Sequence, residues 1–372
     1  MKKNSLSVFL LALLIVACSS SDDSSSGESS DGFDRQAMLT NWADNIIIPA
    51  YQALDSDLTA LVNDKDAFVT APNQSNLDNL RFSWLEAYKT WQSVEMFNIG
   101  KAEELNYAFQ MNIFPTNVED IQNNISSGAY DLANVNNNDA VGFPAVDYLV
   151  YGIATSDSEI LNTYTIRPNF EASKTYLSDV IDQMKSLTST VLSDWTSTYR
   201  NEFVSNTSNS VTSPTNKFTN DFIFYYEKGL RANKFGIPAG VFSSAPLSDK
   251  VEALYNKEAS KVLALESLNA VQDFFNGKAF SSNSTSESFK SYLDYLNTIK
   301  DGEDLASLIN DQFEEAESKI VALDANFALQ VETDNAKMTQ VFDELQKAVV
   351  LLKVDMIQAM SISVDFVDAD GD

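Results

Sequence analysis

Glu95 stands four residues beyond Trp91, at the end of a run in which Leu77, Leu80, Trp84, Tyr88 and Trp91 recur at steps of three and four. Such steps trace one face of a helix, so the spacing predicts a buried stripe that ends on a carboxylate. An acid there pairs with a cation such as Arg231 or Lys234, reaches solvent as the helix leaves the core, or ligates an ion. A second acid, Asp147, lies in Gly142-Phe143-Pro144-Ala145-Val146-Asp147-Tyr148-Leu149-Val150-Tyr151-Gly152, with apolar neighbours on both sides. Pro144 suits a first helical turn, and Asp147 reads either as a cap on that turn's free amides or as a ligand. Were Glu95 and Asp147 to converge, two hard oxygens with carbonyls or water would suit Ca, Mg, Mn or ferric iron better than zinc.

Arg231 and Lys234 flank Asn233 in a glycine-containing segment that permits close backbone approach. They read as an anion site or as cations complementing a helix end, with Tyr148 a further groove-lining candidate. Asp368, Asp370 and Asp372 offer oxygens at alternate positions, like part of a calcium loop without its distal bidentate acid.

Much chemistry is excluded outright. The 372 residues contain no histidine and a single cysteine, Cys18, which removes Ser-His-Asp triads, thiol–imidazole pairs, Cys/His zinc sites and internal disulfides. No Gly-x-Ser-x-Gly elbow and no glycine-rich phosphate loop is present. Acidic residues number 53 against 25 basic, a net charge of −28, so nucleic-acid phosphates would be repelled.

The elements that must position these residues are helices. The stripe helix is expected to open on a Ser75/Asp78 capping box and to end at Gly100, and Tyr176, Leu177, Val180, Ile181, Met184, Leu187, Val191, Trp195 and Tyr199 write a second long one. Others are expected at 36–63 with Pro49 as a bend, 214–234, 247–276, 285–299, 303–323 and 333–361, with loops at 204–216 and 281–286. Pro238 and Gly240 argue against helix throughout 236–246. The expected fold is all-α: two helical bundles packed side by side, 35–203 and 217–372, with room for a distant internal duplication.

Residues 1–17 read as a secretory signal, with Lys2 and Lys3 before an apolar run from Leu6 to Val16. Ile15-Val16-Ala17-Cys18 resembles a bacterial lipobox, which implies lipidation at Cys18 and durable membrane anchoring by more than one acyl chain. Residues 18–34, rich in serine and acid, form the expected tether. Ser21-Asp22-Asp23 resembles the acidic signals of outer-face lipoproteins and reads equally as polar linker. The expected location is the outer membrane of the cell envelope, on its periplasmic side or at the cell surface.

The 142–152 segment is similar to the motif region of the imelysin-like family, named for an insulin-cleaving membrane protease. The family signature is Gly-x-His-x-x-Glu; here Gly142 matches, Pro144 stands at the His position and Asp147 at the Glu position. Trp91-Gln92-Ser93-Val94-Glu95 before Gly100, the segment from Leu230 to Phe242 and the terminal aspartates also resemble the family's Bacteroidota branch. The resemblance implies two helical bundles with the motif facing the groove between them, and a role in peptidase action or in iron acquisition and metal binding. Pro144 removes the imidazole, and with it the case for carrying over peptidase activity. The reading is a non-catalytic envelope lipoprotein that binds a ligand or ion in that groove. The alternatives are a divergent metallopeptidase with a carboxylate-only metal site, and a structural or partner-binding accessory to an outer-membrane uptake system.

Overall fold

The computed structural model describes residues 31–364. The signal segment, Cys18, most of the tether, and Asp368, Asp370 and Asp372 lie outside the described residues. Regular structure is almost wholly helical; the strands among the described residues are Ile299–Lys300 and Glu303–Asp304, one small antiparallel hairpin.

Leu77, Leu80, Trp84, Tyr88 and Trp91 are all fully buried on helix Gln74–Gln92, as their spacing requires. Each such side chain contributes about 1.5–3 kcal/mol relative to exposure. Helix Ile48–Thr70 packs against both this helix and Phe170–Asp194. In the second half, Leu305–Val321 packs against Ser260–Phe275 and Phe327–Val350. Ser260–Phe275 also lies against Gln74–Gln92, so the two groups of helices share one continuous apolar core. Trp42 marks the junction, its ring 5.5, 5.1 and 4.7 Å from those of Phe218, Phe274 and Phe289.

Two prolines, Pro49 and Pro238, follow wide π-turns inside continuous helix rather than marking helix ends. The chain is helical from Arg35 to Thr70, with a π-turn at Trp42–Ile47 just ahead of Pro49. Pro49 lacks the amide that would have bonded the carbonyl of Asn45, and that carbonyl instead accepts from the Phe280 amide at 2.9 Å. The missing donor thus becomes a tie between the halves. A second π-run, Tyr225–Gly236, precedes Pro238, which carries the helix begun at Pro214 on to Ala239; the break falls at Gly240, whose φ is +79°.

Several boundaries differ from expectation for local reasons. Asn73, not a Ser75/Asp78 box, caps the stripe helix: it is extended after Pro72, and its side chain accepts from the Asn76 amide at 3.1 Å. That helix ends at Gln92 rather than Gly100, because the Trp91 carbonyl takes both the Val94 and Glu95 amides, at 2.8 and 2.9 Å, in a closing turn. The expected helix 247–276 is regular only from Ser260, since Ala253 and Lys257 hold left-handed backbone at φ +54° and +67°. The last long helix begins earlier than 333, at Phe327, and is kinked at Asp334. The end of the expected tether is packed: Phe33 stacks on Tyr292 at 4.2 Å, and Asp34 caps the first helix through the Ala37 amide.

Candidate functional site

Five segments meet where the halves join. The end of helix Gln74–Gln92 supplies Tyr88 and Gln92, and the turn after it supplies Glu95. Asn112 follows the short helix Tyr107–Met111. From the other half come Tyr225 and Lys234 on the π-run, Ser267 on Ser260–Phe275, and Glu252 from the irregular segment 251–259.

These side chains form one hydrogen-bonded network. The Asn112 Nδ2 donates to Glu95 Oε1 at 2.9 Å and to Glu252 Oε1 at 3.0 Å, while Tyr88 donates to Asn112 Oδ1 at 2.6 Å. Lys234 Nζ reaches Glu252 Oε2 at 2.5 Å and Gln92 Oε1 at 2.8 Å. Ser267 donates to the same Gln92 oxygen at 2.6 Å, and Tyr225 donates to Glu95 Oε2 at 3.2 Å. Two carboxylates therefore stand against one ammonium. Lys234 and Glu252, each 2% exposed, satisfy one another, so the uncompensated charge falls to Glu95, which has only neutral donors.

Electrostatics follow from that imbalance. Burial raises the Glu95 carboxyl above its ordinary range; the pull of Lys234 opposes this, and the neighbouring Glu252 reinforces it. Trp91 adds a weaker attraction from its indole, whose N–H meets no acceptor at normal hydrogen-bond geometry. The Tyr88 and Tyr225 phenols, raised first by burial and then by the two glutamates, stay protonated and serve as donors.

Above Glu95 opens a cleft of about 540 Å³. Glu95, Asn112 and Tyr225 line it together with the rings of Phe109, Phe114 and Phe224. Most of its surface is apolar, with a few convergent polar groups at the base, which is the usual composition of a small-molecule pocket.

Asp147 has a different place. It is buried at the end of Gly142–Asp147, and its two oxygens accept the Tyr255 and Asn256 amides at 2.8 and 2.9 Å. It caps neither its own first turn nor the cleft, whose lining does not include it. Burial pushes its carboxyl up to about 7 against those two amides. Because they belong to segment 251–259, Asp147 pins the loop that delivers Glu252. Gly142 is required at the start of this motif: its φ is +73°, and a Cβ there would lie 2.2 Å from the Met111 carbonyl oxygen. Pro144 is buried in the same short helix, beside Phe143, which stacks on Tyr88 at 4.4 Å. Tyr148 accepts from Gln122 at 2.7 Å and meets Tyr255 edge-on at 5.2 Å, which sets it beside the pinned loop.

The remaining candidates separate. Lys234 enters the network, but its ammonium bonds Glu252 rather than Glu95. Arg231 turns to Glu227 at 3.5 Å and lies over the Phe342 ring at 4.6 Å. Among the described residues no three Asp, Glu, Cys or His side chains gather in a way that could hold a metal ion. With Lys234 already neutralising Glu252, and Asp147 committed to amides, the donors around Glu95 do not suit a resident metal. Sequence reasoning missed Glu252, Asn112, Gln92 and Tyr225; of these only Gln92, a polar residue directly after the buried Trp91, carried a signal.

The comparisons with known proteins agree with this architecture. The sequence profile of the family described as Imelysin matches residues 47–356. The fold is similar to that of an imelysin-like protein from Psychrobacter arcticum 273-4, at 17% identity and a TM-score of 0.70, covering 89% of this chain and 97% of that one. It is also similar to a precursor named after iron-regulated protein A from Parabacteroides distasonis ATCC 8503, at 16% identity and a TM-score of 0.68, covering 87% and 95%. A curated relative, iron-regulated protein A of Synechococcus elongatus, is 23% identical over 121 residues, 31% of this chain and 33% of that protein. The match thus spans about a third of that relative's length. The chain belongs to the imelysin family.

Proposed function

We propose that this chain is a non-catalytic, lipid-anchored binding protein of the cell envelope that holds a ligand in the cleft above Glu95. The observation that carries the reading is the uncompensated carboxylate at the base of a largely apolar cleft. Apolar walls supply contact area, and the few polar groups fix orientation. Hydrolysis would need a positioned base beside an activated water or a metal. Pro144 occupies the family's His position, the whole chain lacks imidazole, and both Asp147 oxygens are engaged by amides. Anchoring through Cys18 to the outer membrane, and partnership with an uptake system there, belong to the same proposal on the strength of the lipobox-like Ile15-Val16-Ala17-Cys18. A link to iron acquisition is proposed from the names of the relatives alone, and a rise in the protein's abundance under iron limitation tests it.

The binding reading is tested by thermal-shift screening of full-length protein against metabolites and short peptides. Ala108→Trp, which fills the cleft, serves as the comparison. A ligand that raises the wild-type midpoint but not the variant's supports the reading. Chelator-sensitive peptide cleavage that disappears in Asp147→Asn would instead establish a divergent metallopeptidase.

A further inference from the structure

We propose, resting on the binding reading above, that the cleft selects an organic ammonium: a cationic head against Glu95 and an apolar or aromatic body between Phe109, Phe114 and Phe224. Among the described residues no cation hydrogen-bonds Glu95 at the base of the cleft, although Lys234 attracts it from beyond Glu252 and Lys228 and Lys250 line the cleft. Glu252 has its counterion in Lys234, whereas Glu95 receives only the Asn112 amide and the Tyr225 hydroxyl. A ligand cation would bond Glu95 directly in a partly enclosed cleft, where an ion pair is stronger than on open surface.

The walls fit the same head group. Phe109 and Phe224 are 56% and 47% exposed, unusual for phenylalanine, and both line the cleft. Aromatic faces around a carboxylate attract ammonium through the ring quadrupole while packing against its carbon chain. A ligand carboxylate would instead add a second negative charge beside Glu95. A bare metal ion would need several oxygens, and no three acidic side chains converge among the described residues.

The groups facing Glu95 decide how binding depends on pH. They are Tyr88 on the stripe helix, Tyr225 and Lys234 on the π-run, and Glu252 from segment 251–259, with Asp221, Lys228 and Lys250 also lining the cleft. The tyrosines remain neutral and Lys234 is held by Glu252, so Glu95 is the group whose protonation would oppose an arriving ammonium. Ammonium affinity therefore falls as the pH is lowered through the Glu95 titration.

The probes are phenylbutylammonium, its neutral analogue phenylbutanol and the anion phenylpentanoate, titrated calorimetrically into the full-length protein at a series of pH values. The expected order is ammonium first, alcohol weaker, carboxylate weakest. Glu95→Gln should lose about tenfold or more in ammonium affinity, as expected for a charge-assisted contact, with the alcohol little changed. Retained alcohol binding by Glu95→Gln shows that the variant is folded. Alcohol or carboxylate binding as tight as the ammonium, or ammonium binding that ignores Glu95→Gln and pH, overturns the inference while leaving a ligand cleft in place. If no probe binds but another ligand responds to Ala108→Trp, the ammonium assignment alone fails. If every ligand found ignores Ala108→Trp, the cleft reading fails with it.

Discussion

Glu95 and Glu252 share one donor: the side-chain nitrogen of Asn112 lies 2.9 Å from the first carboxylate and 3.0 Å from the second. One amide cannot neutralise two charges, and the only ammonium in the network, that of Lys234, bonds Glu252. The chemistry of the cleft follows from this asymmetry.

Removing Lys234 should expose its weight. Lys234→Met leaves the buried Glu252 and the half-buried Glu95 beside it without the ammonium, and breaking a buried pair in this way costs on the order of 3–5 kcal/mol. Urea denaturation should register that loss, and adding Glu252→Gln should restore much of it. A loss below about 1 kcal/mol, the range of exposed pairs, would show that the network is solvated.

Asp147 should leave a signature in the pH dependence of stability. Its carboxyl titrates at about 7 in the folded chain against an ordinary 3.8. Between those values the folded state holds a proton that the unfolded state has lost, so this group's contribution to stability falls as the pH rises through that window and is constant outside it. Asp147→Asn removes the slope. The stability difference between wild type and variant should therefore shift in the variant's favour from about pH 4 to about pH 7. A difference that is flat, or that grows with pH, would contradict the burial argument.

Gly142→Ala should destabilise by about 2 kcal/mol or more, since it combines strained left-handed backbone with a Cβ placed 2.2 Å from the Met111 carbonyl. Chemical denaturation measures this directly. A neutral outcome would mean that the chain before helix Gly142–Asp147 moves aside freely.

Much of this was legible in residue spacing. The steps from Leu77 to Trp91 named the buried face, and one further step found Glu95, because a helical period continues into its closing turn. Glu252 was hidden inside an apolar run, Val251, Leu254 and Tyr255, that mimics helix; the left-handed turns at Ala253 and Lys257 have no local signature in residues of those types. Asn112 carries neither period nor charge, and the position of Gln92 after the buried Trp91 marks it without naming its partners, so only the meeting of the two halves gives both a role. Asp147 was visible as an acid among apolar neighbours, but its partners are backbone amides more than 100 residues away, which no spacing within its own segment encodes.

The most direct test is a carbon-13 NMR titration of the Glu95 carboxyl in the wild-type protein and in Glu252→Gln. The account predicts a midpoint above the ordinary 4.5 in the wild type, moving down when Glu252 loses its charge. An ordinary or depressed midpoint, indifferent to Glu252→Gln, would contradict it.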